Sequence, residues 1–210
     1  KSEMWLVLHA EADAQLILGV KAGTSRERFR QALLDGRLEP LLHAIPVEAG
    51  DHVCVPAGTL HAIMDGLIIA EIQQNSDTTY RVYDWNRVGA DGKPRPLHID
   101  KALDVINFDQ VEPGTGEARW IEQDNGLRRA MLCRNRYFVT ERLEMARDSV
   151  FEGLNDGQSL EIWGLLKGSV SIDEVRLDGI RFALLPAALG KFTVNANEDS
   201  VLLRTYVPAA

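Results

Sequence analysis

His61 closes the segment Gly50-Asp-His-Val-Cys-Val-Pro56-Ala-Gly58-Thr-Leu-His61, and the spacing has a mechanical logic. A short apolar strand runs into a Pro-x-Gly bend, and the bend aims the next side chain at a fixed point. An imidazole at the start of a strand in a small barrel can face the interior and offer a nitrogen to a divalent metal. The plainer reading is that His61 only caps the turn. Further along, alternation on a strand puts Glu71 and Gln73 on one face. A carboxylate facing inward beside a metal is a candidate to carry a proton. Arg81 could hold a guanidinium over substrate oxygens where negative charge develops, and Arg87 is a second cation close by. Without further context, a strand-end salt bridge between Glu71 and Arg81 is the favoured reading. The stretch Gln73-Gln-Asn-Ser-Asp-Thr-Thr-Tyr-Arg81-Val-Tyr-Asp84-Trp85 is poor core material directly after an apolar strand, and reads as a functional surface.

These side chains need a rigid frame, and the chain has an all-β rhythm. Runs rich in β-branched and aromatic residues, at Trp5 to His9, Gln15 to Val20, His52 to Val55, Leu67 to Ile72 and Thr79 to Tyr83, are punctuated by Gly, Asp, Asn and Pro. Between the second and third, Thr24-Ser25-Arg26-Glu27 forms a capping box, Phe29, Ala32 and Leu33 follow at helical spacing, and Gly36 stops the helix. A helical insertion over about 24–45 is expected. A second helix is expected from Asp100 to about Phe108, with Ile99, Ala102, Leu103 and Ile106 on one face. Val111 to Gly116 reads as a linker. Beyond it come strands at Tyr137 to Met145, Leu160 to Leu166, Ser169 to Ile172, Arg181 to Leu185 and Val201 to Tyr206, an architecture that echoes the first half. The partition is a first domain over 1–110 and a second over 117–210.

Length and composition bound the partners. The 210 residues, 45% hydrophobic, suffice for one large or two small cores. With 23 basic against 31 acidic residues and a net charge of -8, no basic run offers a footprint for nucleic acid. No apolar stretch is long enough for a membrane helix, and the opening Lys-Ser-Glu is not a signal peptide. A cytoplasmic protein with neither nucleic-acid nor membrane partners is expected. Cys54 and Cys133 lack CxxC spacing and read as small buried hydrophobes, with no thiolate metal site or disulfide framework.

The spacing Gly-x5-Pro-x-Gly-x2-His resembles the second motif of the cupin superfamily, a jelly-roll fold. It departs where that motif carries Asn, here Asp65. The stretch from Gln73 to Trp85, with Pro56 to Ala62 and Leu97-His-Ile-Asp-Lys-Ala102, closely resembles the short bacterial form of class I mannose-6-phosphate isomerase. The resemblance covers the first half; the second matches in size and β character. It implies two cupin barrels with a helical insertion in the first. It also implies that Lys1-Ser-Glu3-Met-Trp5 is the family's Lys-x-Glu-x-Trp segment, with Glu3 a metal ligand and Lys1 lining the substrate pocket. His61 is then the other downstream ligand, and the ion is zinc by family habit.

The remaining ligands in that family come from a Gln-x-His pair upstream of the Lys-x-Glu-x-Trp segment. A chain starting at Lys1 is therefore expected to hold part of the metal site and to be at risk of inactivity. Glu71 and Arg81 match the family's acid and active-site Arg, and Arg87 stands where longer relatives carry Lys. Trp5 and Trp85 either wall the pocket or pack in the core. His9, His43 and His52 read as surface or core residues, and His98 has no evident role. The implied reaction is interconversion of mannose 6-phosphate and fructose 6-phosphate through an enediolate, in a monomer or homodimer. A non-catalytic sugar-phosphate-binding regulator is the alternative; an iron oxygenase fits poorly, since only His61 is well placed. Two geometric expectations follow. Glu3 and His61 should converge inside the first barrel, and the second half should hold no cluster of His or carboxylates in its interior.

Overall fold

The computed structural model describes residues 1–123 and 125–209. The chain divides into two compact units, Lys1–Thr115 and Gly116–Ala210. The first contains β1 (Glu3–Ala10), β2 (Gln15–Val20), α1 (Arg26–Leu34), β3 (Leu42–Pro46), β4 (His52–Val55), β5 (His61–Ile63), β6 (Leu67–Gln73) and α2 (Ile99–Val105), with a 3-10 turn at Glu39–Leu41. The second contains β7 (Arg119–Gln123), β8 (Leu127–Arg134), β9 (Val139–Met145), β10 (Val150–Asn155), β11 (Glu161–Lys167), β12 (Ser169–Ile172), β13 (Val175–Asp178), β14 (Arg181–Leu185), β15 (Gly190–Ala196) and β16 (Ser200–Tyr206). The all-β expectation holds.

In the first unit two three-stranded antiparallel sheets, ordered β4-β1-β6 and β3-β2-β5, face each other. Trp5, Val7, Val53 and Val55 of one sheet meet Leu16, Leu18 and Ile45 of the other in a shared core. β1 is central in its sheet and buried on both faces from Glu3 to Val7, which is why its sequence runs apolar without clean alternation. α1 begins one residue later than the Thr24-x-x-Glu27 box implies: Ser25 is the N-cap, and its hydroxyl accepts from Arg28 N at 3.2 Å. Gly36, at φ 65°, ends it. Phe29 and, from α2, Ala102 and Leu103 form a second core with Ile17, Val20 and Val82.

α2 braces the bend that precedes His61. Gly58, at φ 90°, lies over the helix end so closely that an added Cβ would stand 2.8 Å from the Val105 carbonyl oxygen. Its own carbonyl accepts from Asn107 N at 2.8 Å. The stretch read as a linker is pinned at its start, since Val111 bridges Val20 and Glu112 N bonds Val20 O at 3.0 Å.

Three expectations are corrected. Thr79 to Tyr83 forms no strand: the chain from 74 to 98 lacks helix or strand, because Arg81 spends its backbone N–H and C=O on His98 rather than on a ladder. The insertion is helical only over its first part, and its last residues belong to β3. Cys54 is exposed on β4, not buried like Cys133, and neither is a free thiol.

The second unit pairs a six-stranded sheet, β14-β11-β16-β9-β8-β7, with a four-stranded one, β10-β15-β12-β13. Its core is built on Trp163, Leu165, Leu143, Leu202, Phe151 and Phe192.

Candidate active site

Register sets the site. β1 lies between β4 and β6 so that Glu3 faces Val55 and Gln73, while Trp5 faces Val53 and Glu71. Directly paired residues share a face, so Glu3, Trp5, Glu71 and Gln73 all stand on the side carrying the core. From the opposite sheet, His61 pairs with the core residue Leu18 and so points back at them.

The imidazole and the carboxylate meet. His61 Nε2 is 3.7 Å from Glu3 Oε2, and the His61 ring packs edge-on against Trp5 with centroids 5.2 Å apart. His61 Nδ1 lies 2.7 Å from the Thr59 carbonyl oxygen. A carbonyl can only accept, so Nδ1 carries a proton, and Nε2 is the nitrogen turned toward Glu3. The bond to the turn is compatible with either reading of His61, since it engages Nδ1 and leaves Nε2 facing the interior.

Glu3 is 3% exposed, accepts from Trp5 Nε1 at 3.1 Å, and has Lys1 Nζ at 3.4 Å. Lys1 also donates to Gln73 Oε1. Trp5, 2% exposed, is a core residue that steadies Glu3 and the His61 ring. Of the two readings of Trp5, pocket wall or core, its burial favours the core. Glu71 is exposed on β6, yet partial loss of water around its carboxyl, then the charge and hydrogen bond of Glu3, hold its pKa above the usual carboxylate range, against the opposing pull of Lys1 and His61.

The remaining candidates lie on the loop 74–98. Arg81 forms no ion pair with Glu71 among the described residues, so the strand-end salt bridge is not formed. Its guanidinium reaches Pro96 O at 3.4 Å, and its backbone is clamped by His98, whose Nδ1 accepts from Arg81 N at 3.2 Å and whose N–H donates to Arg81 O at 2.7 Å. That is the role of His98. Arg87 pairs with Asp84 at 3.1 Å and lies over the Trp85 ring. Asp84 is buried and gripped in two-pronged fashion by Arg95. Those hydrogen bonds, outweighing burial and reinforced by the charges of Arg95, Arg87 and Arg81, hold its carboxyl below the usual range. Sequence reasoning missed Arg95; three arginines around one buried acid leave an excess of positive charge on the loop.

The donors suit a divalent cation: one buried carboxylate, one imidazole whose Nε2 faces it, and a second carboxyl whose proximity to the first is relieved by a cation. Among the described residues no group of three or more His, Cys, Asp or Glu is arranged to hold an ion.

The expectation of an empty second interior is overturned. Glu141 and Glu161 are 5% and 4% exposed and share Arg204, which donates to both Glu161 oxygens and reaches Glu141 Oε2 at 3.3 Å. Buried carboxylates persist there because a guanidinium pairs them.

Facing antiparallel sheets with an imidazole and carboxylates gathered on the inner side of the first unit define a protein of the cupin class. The sequence relatives narrow this. The chain is 35% identical over 202 residues to a probable mannose-6-phosphate isomerase, GmuF, of Bacillus subtilis, a match covering 92% of this chain and 61% of the relative. It is 39% identical over 146 residues to the mannose-6-phosphate isomerase of Streptococcus mutans, covering 70% of this chain and 45% of the relative. The crystal structure of mannose 6-phosphate isomerase from Bacillus subtilis superposes with a TM-score of 0.83 at 29% identity, over 97% of this chain and 64% of that one. No family model matches. The chain is a relative of the cupin-type mannose-6-phosphate isomerases, and spans less than two thirds of the length of these relatives.

Proposed function

We propose that this chain is the greater part of an aldose-ketose isomerase acting on mannose 6-phosphate and fructose 6-phosphate. The observation that carries the reading is the Nε2 of His61 facing the buried Glu3 carboxylate, with Glu71 beside them. The names and fold of the relatives support it. Glu3 and His61 would hold a divalent ion, zinc by its taste for nitrogen and carboxylate oxygen, and such an ion polarises sugar oxygens as a Lewis acid.

The chain's own groups do the rest. Trp5 and Lys1 orient Glu3, and the Thr59 carbonyl holds His61 Nδ1. Glu71, with a raised pKa, is the group here best suited to lift a proton from C2 of the aldose and return it to C1. Arg81, a fixed cation braced by His98, steadies the negative charge of the enediolate. The surplus charge of Arg87 and Arg95 favours an anionic substrate. We assign residues 1–110 as the catalytic cupin barrel and 117–210 as a second barrel that binds no metal. Chemistry confined to a phosphorylated sugar suits a cytoplasmic enzyme, monomeric or homodimeric, with only this small molecule as partner.

The test is a coupled isomerase assay on mannose 6-phosphate with zinc supplied, alongside Glu71→Gln. The reading expects turnover in the parent and a loss of on the order of 100-fold or more in the variant. Binding of mannose 6-phosphate without turnover would favour the regulatory alternative.

A further inference from the structure

The two units carry the same frame. In sequence order β1 to β6 correspond to β11 to β16: the sheet β4-β1-β6 matches β14-β11-β16, and β3-β2-β5 matches β13-β12-β15. The central strands begin alike, with Glu3-Met-Trp5 and Glu161-Ile-Trp163. Each indole donates to the Glu two residues before it, Trp5 Nε1 to Glu3 Oε2 at 3.1 Å and Trp163 Nε1 to Glu161 Oε2 at 2.8 Å. The ladders agree residue for residue. Trp5 lies between Val53 and Glu71, and Trp163 between Ala183 and Arg204. Register slips between Val7 and His9 in one, and at the same distance past the Trp, between Leu165 and Lys167, in the other.

The chemistry differs at two places. Where Trp5 meets the imidazole of His61, Trp163 meets the phenyl rings of Phe151 and Phe192. Where β6 carries Glu71, β16 carries Arg204, whose guanidinium sits among Glu161, Glu141 and the rings of Phe151, Trp163 and Tyr206. An ordinary buried ion pair has no reason to reproduce the Glu-x-Trp hydrogen bond, the register and the bulge.

We propose that the second unit holds a cation site of the same descent whose cation is the tethered guanidinium of Arg204, so that removing the guanidinium converts Glu161 and Glu141 into a site for a divalent metal. Naming the first unit's site a cation site rests on the reading above; the match between the frames does not. With the Arg204 guanidinium removed, Glu161 and Glu141 are buried oxygen donors opposed only in part by Arg129, whose Nε stands 3.8 Å from Glu141 Oε1, and such donors favour a hard ion such as Mn2+, which keeps water on its remaining positions.

The experiment counts Mn2+ bound by the full chain in equilibrium dialysis. Arg204→Met should bind one equivalent more than the parent and gain thermal stability on adding Mn2+, while Arg204→Lys, which keeps a tethered charge, should match the parent. Adding Glu161→Gln should abolish the gain and adding Glu3→Gln should leave it. If Arg204→Met does not fold in metal-free buffer, Mn2+ should restore folding. No extra equivalent, a gain that survives Glu161→Gln, or misfolding that Mn2+ leaves unrepaired would overturn the proposal. Failure of the first-unit reading would show separately, as parent Mn2+ binding indifferent to Glu3→Gln.

Discussion

Gly58→Ala tests whether α2 holds the His61 bend in place. Gly58 sits at φ 90°, where a side chain is strained, and the new methyl would stand 2.8 Å from the Val105 carbonyl oxygen, an atom fixed in the helix backbone. Left-handed backbone costs about 1–3 kcal/mol for a residue with Cβ, and forcing a methyl into a closed contact adds about 1–3 kcal/mol. The sum, roughly 2–6 kcal/mol, should lower the melting point of the first unit by on the order of 10 °C. Gly36→Ala is the matched control. Gly36 has φ 65° with open space around the added methyl, so only the backbone component, about 1–3 kcal/mol, applies. Thermal unfolding of both variants, followed by circular dichroism, isolates the contact. If Gly58→Ala melts no lower than Gly36→Ala, the close approach to α2 does not hold the bend, and the reasoning fails.

Arg81→Ala should fold normally and lose about 100- to 1000-fold in kcat in an assembled, active enzyme, with Arg81→Lys recovering only part; near-normal turnover would remove Arg81 from the mechanism. His98→Ala should lower kcat and be rescued in part by His98→Asn, whose amide can accept from Arg81 N; unchanged turnover would make the clamp idle. Asp84 has a folded pKa below its unfolded value. Its contribution is therefore present above the ordinary Asp value of about 3.9 and lost as pH falls through the lower folded value. Arg95→Met should flatten that acid limb in pH-dependent unfolding curves, and an unchanged limb would refute the pair's role.

The site was legible where chemistry lies in local spacing. The Pro56-x-Gly58 bend, the alternation of Glu71 and Gln73, and the Glu3-x-Trp5 step translate directly into one inner face, because strand register carries residues two apart to the same side. What sequence hid depends on long-range pairing. Arg95 reaches Asp84 only because the intervening turn folds back at the Val88 to Pro94 bridge. Thr79 to Tyr83 has strand-like residues, yet His98 takes the backbone groups of Arg81 that a ladder needs. Trp5 looked as much like a pocket wall as a core residue, and only the facing sheet decides that. Glu161-x-Trp163 repeats Glu3-x-Trp5 openly, and the repeat was the available signal for the buried acids of the second unit. Arg204, on a distant strand, gave none.

The central claim is that Glu3 and His61 share one divalent ion. Crystals of the protein equilibrated with zinc, measured on both sides of the zinc absorption edge, test it directly. The account predicts an anomalous peak about 2.0–2.2 Å from both a Glu3 carboxylate oxygen and His61 Nε2, and no such peak in His61→Ala. Zinc bound elsewhere while Glu3 and His61 stay in direct contact would contradict it.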